Sequence, residues 1–527
     1  MGKRHGDGET SSTMKARKGP QGKSFPRTLA AAGWAVLGTH LLLILLVAHT
    51  RLPLGITGDW VWRRTEATGI PWVDIAIVTL AFLLAAFLAH VHDQCLPRRT
   101  RLALPLLLVI LGLGSWLDYH LLSIGPAGNY ESVIAVVDDF TSGYLLEASR
   151  IGDARAYFLQ FDERLERDED PGNHLDVHPP GNVAFSWVFW HLNRKGLLPR
   201  AAVDWLMPAN ERRLGREAYS LSISARGIPA EALDTAEVIV VVFWILVAAG
   251  RLVTFAAILV LRRGSPRNGG TVAAMLAFGL GGPMLFMGHY DVITYFLGSC
   301  CLLVLALAMR RDRRLPAWSG LLGVLLALST MFSLAFGVLI ACSLLVFWVG
   351  SGKKAALQRT AAMVGCGLLM VALGEALGLR ILRMCLLCAR NNSRFFAETG
   401  RSGWWAPWNG LDLLLFHGAL FVFPALLALP KRCADVLAPW RRRCGPLRAW
   451  GWALAPTLVF LLVSPFSRGE VGRLFLFFLP FLALVGCLVV GSARLPSSPR
   501  RIWLASALVA AWLTVCIRMN LHLVVFF

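Results

Sequence analysis

Charged side chains are scarce in this chain, 16% of 527 residues against 56% hydrophobic. Soluble domains carry about 25% charge, so that class is excluded. Acidic residues are the rarer sign, 32 against 52 Lys and Arg, which leaves a formal net charge of +20. The excess does not mark a nucleic-acid binder, because the basic residues fall in short clusters between apolar runs and build no single basic face. Also absent are G-x-x-x-x-G-K-[ST], a G-x-G-x-x-G following a strand, and H-E-x-x-H, so nucleotide-driven pumping and zincin chemistry lack support. The eleven cysteines include no Cys/His set with zinc-finger spacing, and Cys300-Cys301 and Cys385/Cys388 sit in apolar stretches. They read as packing residues, since free Cys behaves as a small hydrophobe.

What the chain has in abundance is bilayer-length hydrophobic sequence. Runs of about 17 to 24 residues, enough to cross about 30 Å of hydrocarbon as helix, recur along nearly its whole length. They start near Leu29, Trp72, Leu102, Val238, Thr271, Val292, Ala317, Phe332, Ala361, Leu411, Trp450, Leu474 and Ile502. Ala317 to Val349 is too long for one span and splits into a hairpin near Thr330-Met331-Phe332-Ser333. The expected fold is an all-α polytopic membrane protein of about thirteen transmembrane helices with one large extracytoplasmic loop carrying short interfacial helices. Residues 1–28 form a basic cytoplasmic tail, 29–120 the first three spans, 121–237 the large loop, and 238–527 a helical bundle with short loops. The Asn182 to Leu192 stretch is apolar but only about half a bilayer long, which predicts an interfacial or re-entrant helix.

Charge sets the orientation. With the tail Met1 to Arg27 in the cytoplasm, alternate connections hold Arg98-Arg99, Arg262-Arg263, Arg310 to Arg314, Lys353-Lys354, Lys431 to Arg443 and Arg494 to Arg501. This follows the positive-inside rule and predicts an integral, multi-pass membrane protein with a cytoplasmic N-terminus, whose working face is extracytoplasmic. No internal repeat is visible, which disfavours transporter folds built from inverted halves.

The unusual polar residues collect on that working face. Val136-Val137-Asp138-Asp139-Phe140 opens the large loop. Adjacent carboxylates in an apolar setting suit a general base, because dehydration and like-charge proximity both favour proton uptake; the alternative is a cap on the segment that Thr141 and Ser142 begin. Asp176-Val177-His178-Pro179-Pro180-Gly181 fixes a sharply turning backbone that holds His178 before the membrane-seeking stretch, or is a loop-to-helix turn with a surface histidine. His289-Tyr290-Asp291 forms the tip of a tight hairpin. Ser467-Arg468-Gly469-Glu470-Val471-Gly472-Arg473 precedes the twelfth run, where arginine can clamp a lipid phosphate or snorkel to the interface beside Glu470. Arg380, Arg383, Arg390, Arg394 and Arg401 break the positive-inside trend and suit an anionic partner or interfacial snorkelling. Arg251 and Glu375 lie inside spans, where a charge must face protein or water; a mutual ion pair is the structural reading. Asn391-Asn392-Ser393 fits an N-glycosylation acceptor in a secretory pathway that performs that modification.

In the order and common face of these motifs, the chain resembles the GT-C superfamily of integral membrane glycosyltransferases, especially bacterial members with a His-Pro-Pro-Gly motif. The resemblance runs from about Leu102 to the end, on Asp138-Asp139-Phe140, Ser142-Gly143-Tyr144 through Ile151-Gly152-Asp153, the His178 motif and Arg468 to Arg473. Many relatives have Thr before His-Pro-Pro-Gly and Pro after it, where this chain has Val177 and Asn182. The first two spans look like an addition. The resemblance implies inverting transfer of a hexose or pentose from a polyprenyl-phosphate donor to a glycan, lipid or protein acceptor hydroxyl, with no nucleic-acid partner. Asp138 or Asp139 would be the catalytic base, and Arg473 would hold the lipid phosphate. His178, His289, Asp291, Arg468 and Glu470 complete the substrate-binding set. The resemblance makes no cofactor certain; some relatives use a divalent metal ion, which Asp138-Asp139 could serve. The competing class is a multi-pass transporter or lipid-linked-sugar flippase, with Arg251 and Glu375 as its coupling pair.

Overall fold

The computed structural model describes residues 24–49, 54–56, 60–62, 64–65, 69–95, 102–124, 128–138, 143–167, 177–198, 200–223, 229–262, 268–310, 315–398, 405–427, 445–463, 475–492 and 497–521. Helix dominates. The chain opens with α1 (Ser24–His49), α2 (Trp72–His90) and α3 (Ala103–Ser123). Seven shorter helices follow: α4 (Tyr130–Val137), α5 (Tyr144–Arg150), α6 (Ala154–Leu159), α7 (Phe161–Glu166), α8 (Gly181–Arg194), α9 (Arg200–Leu206) and α10 (Ala209–Ile223). The bundle then continues through α11 (Ala230–Leu261), α12 (Gly269–Gly279), α13 (Gly282–Leu285), α14 (Asp291–Met309), α15 (Leu315–Thr330), α16 (Phe336–Gly350) and α17 (Lys353–Ala376). It closes with α18 (Ile381–Glu398), α19 (Trp405–His417), α20 (Ala419–Leu427), α21 (Gly445–Val463), α22 (Leu479–Ser492) and α23 (Ser497–Asn520). The helical class is as expected; between α1 and α2 there is also a short antiparallel pair, β1 (Leu54–Ile56) with β2 (Trp60–Trp62).

Among the described residues seven helices, α1, α2, α3, α11, α14, α17 and α23, are long and apolar enough to cross a membrane, and the protein is a multi-pass helical membrane protein. Every expected apolar run contains helix, but five of them form shorter apolar helices. The run expected from Leu411 is interrupted at Gly418, whose φ of 75° ends α19 and starts α20 at a new angle. The expected hairpin is found: α15 stops at Thr330 and α16 begins at Phe336.

The core lies around α12, every residue of which is buried. Small residues let it approach its neighbours backbone to backbone. A methyl group on Gly114 of α3 would come within 2.8 Å of the Ala277 Cα, and one on Gly270 within 2.6 Å of the Ala89 Cα of α2. The first two helices are therefore integral to the bundle. α1 lies along α23, where Ser506 Oγ donates to the Gly33 carbonyl at 3.2 Å.

Polar contacts sort into two ends of this bundle. At one, the Asp93 carboxylate accepts from the N–H groups of Gly270 and Thr271 at 2.8 and 3.0 Å, and Arg262 donates to the Gly491 carbonyl. At the other, Arg518 pairs with Glu131 at 2.8 Å and reaches the Leu121 carbonyl, while Thr65 N donates to the Asn520 carbonyl at 3.0 Å. The segment that follows α3 folds over this second end. Arg216 of α10 bonds Asp234 and Glu237 at 2.6 and 2.5 Å, and Gly215 leaves room for the Tyr130 ring.

Within the bundle, Arg251 does not meet Glu375. It makes a two-pronged ion pair with Asp118 of α3, Nη1 to Oδ2 at 2.7 Å and Nη2 to Oδ1 at 2.9 Å. Glu375 is exposed and accepts the Leu382 N–H at 2.8 Å, capping the start of α18. A coupling pair between these two residues is thus replaced by a closed pair and a cap.

A second, smaller core sits beside the bundle, where Phe161 and Leu165 of α7 meet Met384, Leu387 and Cys388 of α18. Asp162, only 1% exposed, accepts from Arg380 at 3.1 Å and Arg383 at 3.3 Å, and Glu166 accepts from Arg383 at 2.6 Å. The Arg383 hydrogen bond holds the Glu166 carboxyl below the usual carboxylate range. The anionic partner expected of Arg380 and Arg383 is therefore the acidic part of the chain's own loop. Asn391 is buried and donates to the Leu165 carbonyl at 3.4 Å, so its amide is a packing group and not an accessible glycosylation acceptor.

Removing one member of a buried ion pair strands the other charge and costs about 3 to 5 kcal/mol, whereas replacing both with apolar side chains is close to neutral. Arg251→Met is expected to lower the unfolding temperature in detergent sharply. Arg251→Met combined with Asp118→Leu is expected to recover most of the loss, as read by the same thermal melt.

Candidate functional site

All eight residues of α4 are buried, and the helix ends on Asp138. Asp138 has extended backbone, φ −68° and ψ 129°, and its N–H bonds the Ile134 carbonyl at 2.8 Å. Its own carbonyl accepts from Gly143 N at 3.2 Å, closing a loop at whose neck the carboxylate sits, 7% exposed. Gly143, φ 62°, stands at the N-cap of α5 and turns the chain into it. Asp139 lies outside the described residues, as do Arg468, Glu470 and Arg473.

The His178 motif is tied to the bundle through its glycine. Gly181 N donates to the Met331 carbonyl in the α15–α16 turn at 2.8 Å. A methyl group on Gly181 would overlap that carbonyl oxygen and come within 3.1 Å of Phe332 Cγ. Only glycine allows this approach. Pro180 stands at the N-cap of α8 and fixes its start, leaving His178 half-buried just ahead of the helix.

The third motif docks on the first. A methyl group on Gly288 would come within 3.0 Å of the Ser132 Cα and would overlap Ala135, one turn before Asp138. The tight turn that follows buries His289 and Tyr290, and Asp291 begins α14 half-buried. Tyr290 is the point where the pieces join. Its Oη lies 2.5 Å from Ser186 Oγ on the buried face of α8, and its ring is 4.9 Å from that of Tyr144 at the start of α5. Tyr144 in turn meets the His178 ring edge-on at 6.3 Å, and Phe243 closes the far side of Tyr290 at 5.4 Å. Burial pushes the Tyr290 phenol up, so it keeps its proton and bonds Ser186 as a neutral group.

Asp138, His178 and the His289 to Asp291 turn, far apart in sequence, are thus brought to one end of the bundle over an aromatic floor. Sequence reasoning missed Tyr144, Tyr290 and Ser186 as the residues that join them. The available signal was a polar Ser186 in register with the apolar Val183 and Trp190 on one face of α8. Chemically, the arrangement presents a carboxylate able to accept a proton, with two imidazoles able to orient hydroxyl-bearing ligands. Among the described residues no group of three His, Cys, Asp or Glu is placed to hold a metal ion.

No protein-family model matches the chain, and no curated protein matches it. Among solved structures, the Archaeoglobus fulgidus oligosaccharyltransferase complex with Zn and sulfate aligns with a TM-score of 0.36 and 12% identity, over 76% of this chain and 53% of that one. The chain thus spans about half the length of that protein.

Ala in place of Gly inside a helix ordinarily gains up to about 1 kcal/mol, whereas overpacking costs about 1 to 3 kcal/mol. At Gly181 the second effect is expected to win. Gly181→Ala should lower the thermal midpoint in detergent; an unchanged or raised midpoint would show that α8 does not press on the Met331 carbonyl.

Proposed function

We propose that this protein is a GT-C-type membrane glycosyltransferase that moves a sugar from a polyprenyl-phosphate donor to an acceptor hydroxyl on the extracytoplasmic face. The observation that carries this reading is the convergence of Asp138, His178 and the His289 to Asp291 turn at one end of the bundle. The reaction needs a base for the acceptor proton and cationic stabilisation for a phosphate leaving group. Both requirements can be assigned to residues of this chain.

In this proposal Asp138, or its neighbour Asp139, takes the proton from the acceptor O–H as that oxygen bonds to the anomeric carbon. The bond from that carbon to the phosphate oxygen breaks in the same displacement. Its electron pair leaves on the polyprenyl phosphate, and the configuration inverts. Arg473 and Arg468 hold the phosphate at the membrane surface, where two parallel N–H bonds suit its oxygens. Glu470 orients the arginines, and His178, His289 and Asp291 position the donor sugar, a hexose or pentose, and the acceptor, a glycan, lipid or protein. The enzyme would work in the plasma (inner) membrane with its N-terminus in the cytoplasm. The transporter or flippase reading is weakened by the engagement of Arg251 with Asp118, which removes its coupling pair.

The test is transfer of radiolabelled sugar from a panel of polyprenyl-phosphate sugars by purified protein in lipid. Asp138→Asn is expected to reduce transfer by at least about a hundredfold, the size of a general-base contribution, with an unchanged melt. Arg473→Ala is expected to weaken donor binding. If neither Asp138→Asn nor Asp139→Asn alters transfer, the assignment of the base is wrong. Absence of transfer with every donor, alongside substrate-dependent flux in sealed vesicles, would favour the transporter.

A further inference from the structure

Helix α18 has three differently occupied sides. One is the buried stripe of Met384, Leu387, Cys388 and Asn391 that packs on α7. Roughly half a turn away, at about 100° per residue, Leu382 and Leu386 project outward, 58% and 71% exposed. Between these sides runs a basic flank carrying Arg383, Arg390 and Arg394, all exposed. Arg383 is engaged by Asp162 and Glu166, whereas Arg390 and Arg394 lie about two and three turns further on.

The outward leucines come directly after another exposed apolar row in the chain. α17 is one of the membrane-length helices, and it exposes Leu368, Leu369 and Leu373 at 61%, 68% and 52%. At its end comes Leu377, 65% exposed, followed by the turn at Gly378 (φ 86°) into α18. Exposed leucines on a membrane-length helix are thus followed, past the turn at Gly378 and Arg380, by exposed leucines on the first two turns of α18. Leucines this exposed are unfavourable in water but are satisfied in the boundary between headgroups and acyl chains. Arginines at i and i+4 beside such a row are placed to meet phosphate at headgroup level and are attracted to an anionic surface.

We infer that α18 lies in the membrane interface at this end of the bundle and binds anionic phospholipid, with Leu382 and Leu386 among the acyl chains and Arg390 and Arg394 on the headgroup phosphate. Because α18 is clasped to α7, the lipid surface becomes a support for the segment that carries Asp138 and His178. The inference rests on the multi-pass architecture and is independent of whether the protein transfers sugar.

The test uses the full-length protein in nanodiscs of phosphatidylcholine with or without phosphatidylglycerol. With the photoreactive residue p-benzoylphenylalanine at position 386, illumination is expected to yield lipid adducts detectable by mass spectrometry, and the same residue at position 163 on α7 none. In native mass spectra, Arg390→Glu combined with Arg394→Glu is expected to cut retention of phosphatidylglycerol over phosphatidylcholine several-fold, with an unchanged melt. Lipid adducts absent at position 386, or an undiminished phosphatidylglycerol preference in the folded double variant, would overturn the proposal.

Discussion

The hydrogen bond between Tyr290 and Ser186 joins the two halves of the candidate site. Ser186 belongs to the helix launched by the His178 motif, and Tyr290 to the turn that docks on the helix ending in Asp138. Both groups are buried, so breaking the bond would leave a hydroxyl without water to replace it, at a cost of about 1 to 3 kcal/mol. The bond therefore constrains the relative placement of a carboxylate and two histidines that come from three separate stretches of chain. Glycines 181 and 288 make this possible by removing the side chains that would hold the backbones apart.

The same rule of internal satisfaction governs the bundle. Hydrocarbon offers no partner to a charge, and the structure answers with the closed Arg251–Asp118 pair in the interior and with Arg518–Glu131 at the end that carries the site. The latter pair anchors α4, and with it Asp138, to the last helix. Outside the bundle the acidic stretch of the large loop is spent on Arg380 and Arg383, which fixes α7 against α18.

How much of this was legible in the sequence depended on whether the information was local. Hydrophobic periodicity and length placed helix in every expected run and located the turn between Thr330 and Phe336, because those features depend on neighbouring residues. Gly418 was read through, since a single glycine in an apolar run does not reveal a positive φ. The partner of Arg251 was misjudged because Asp118 looks like the polar end of a span, and only the packing of α3 on α11 brings the two together. Asn391 and Glu375 looked like a surface acceptor and a buried charge; instead α18 turns Asn391 inward, and Glu375, exposed on the last turn of α17, accepts from the first turn of α18. For the site, the motifs were legible as residue types that suit chemistry. Their joining through Tyr144, Tyr290 and Ser186 was not, because an aromatic ring or a serine carries no signal of a contact a hundred residues away.

The most direct test of that joining is a double-mutant cycle on unfolding free energy in detergent with Tyr290→Phe, Ser186→Ala and the two combined. A real buried hydrogen bond predicts a coupling energy of about 0.5 to 3 kcal/mol between the two sites. Strictly additive losses, with no coupling, would mean that the two hydroxyls do not meet and that the His178 and Asp138 motifs are not held together as described.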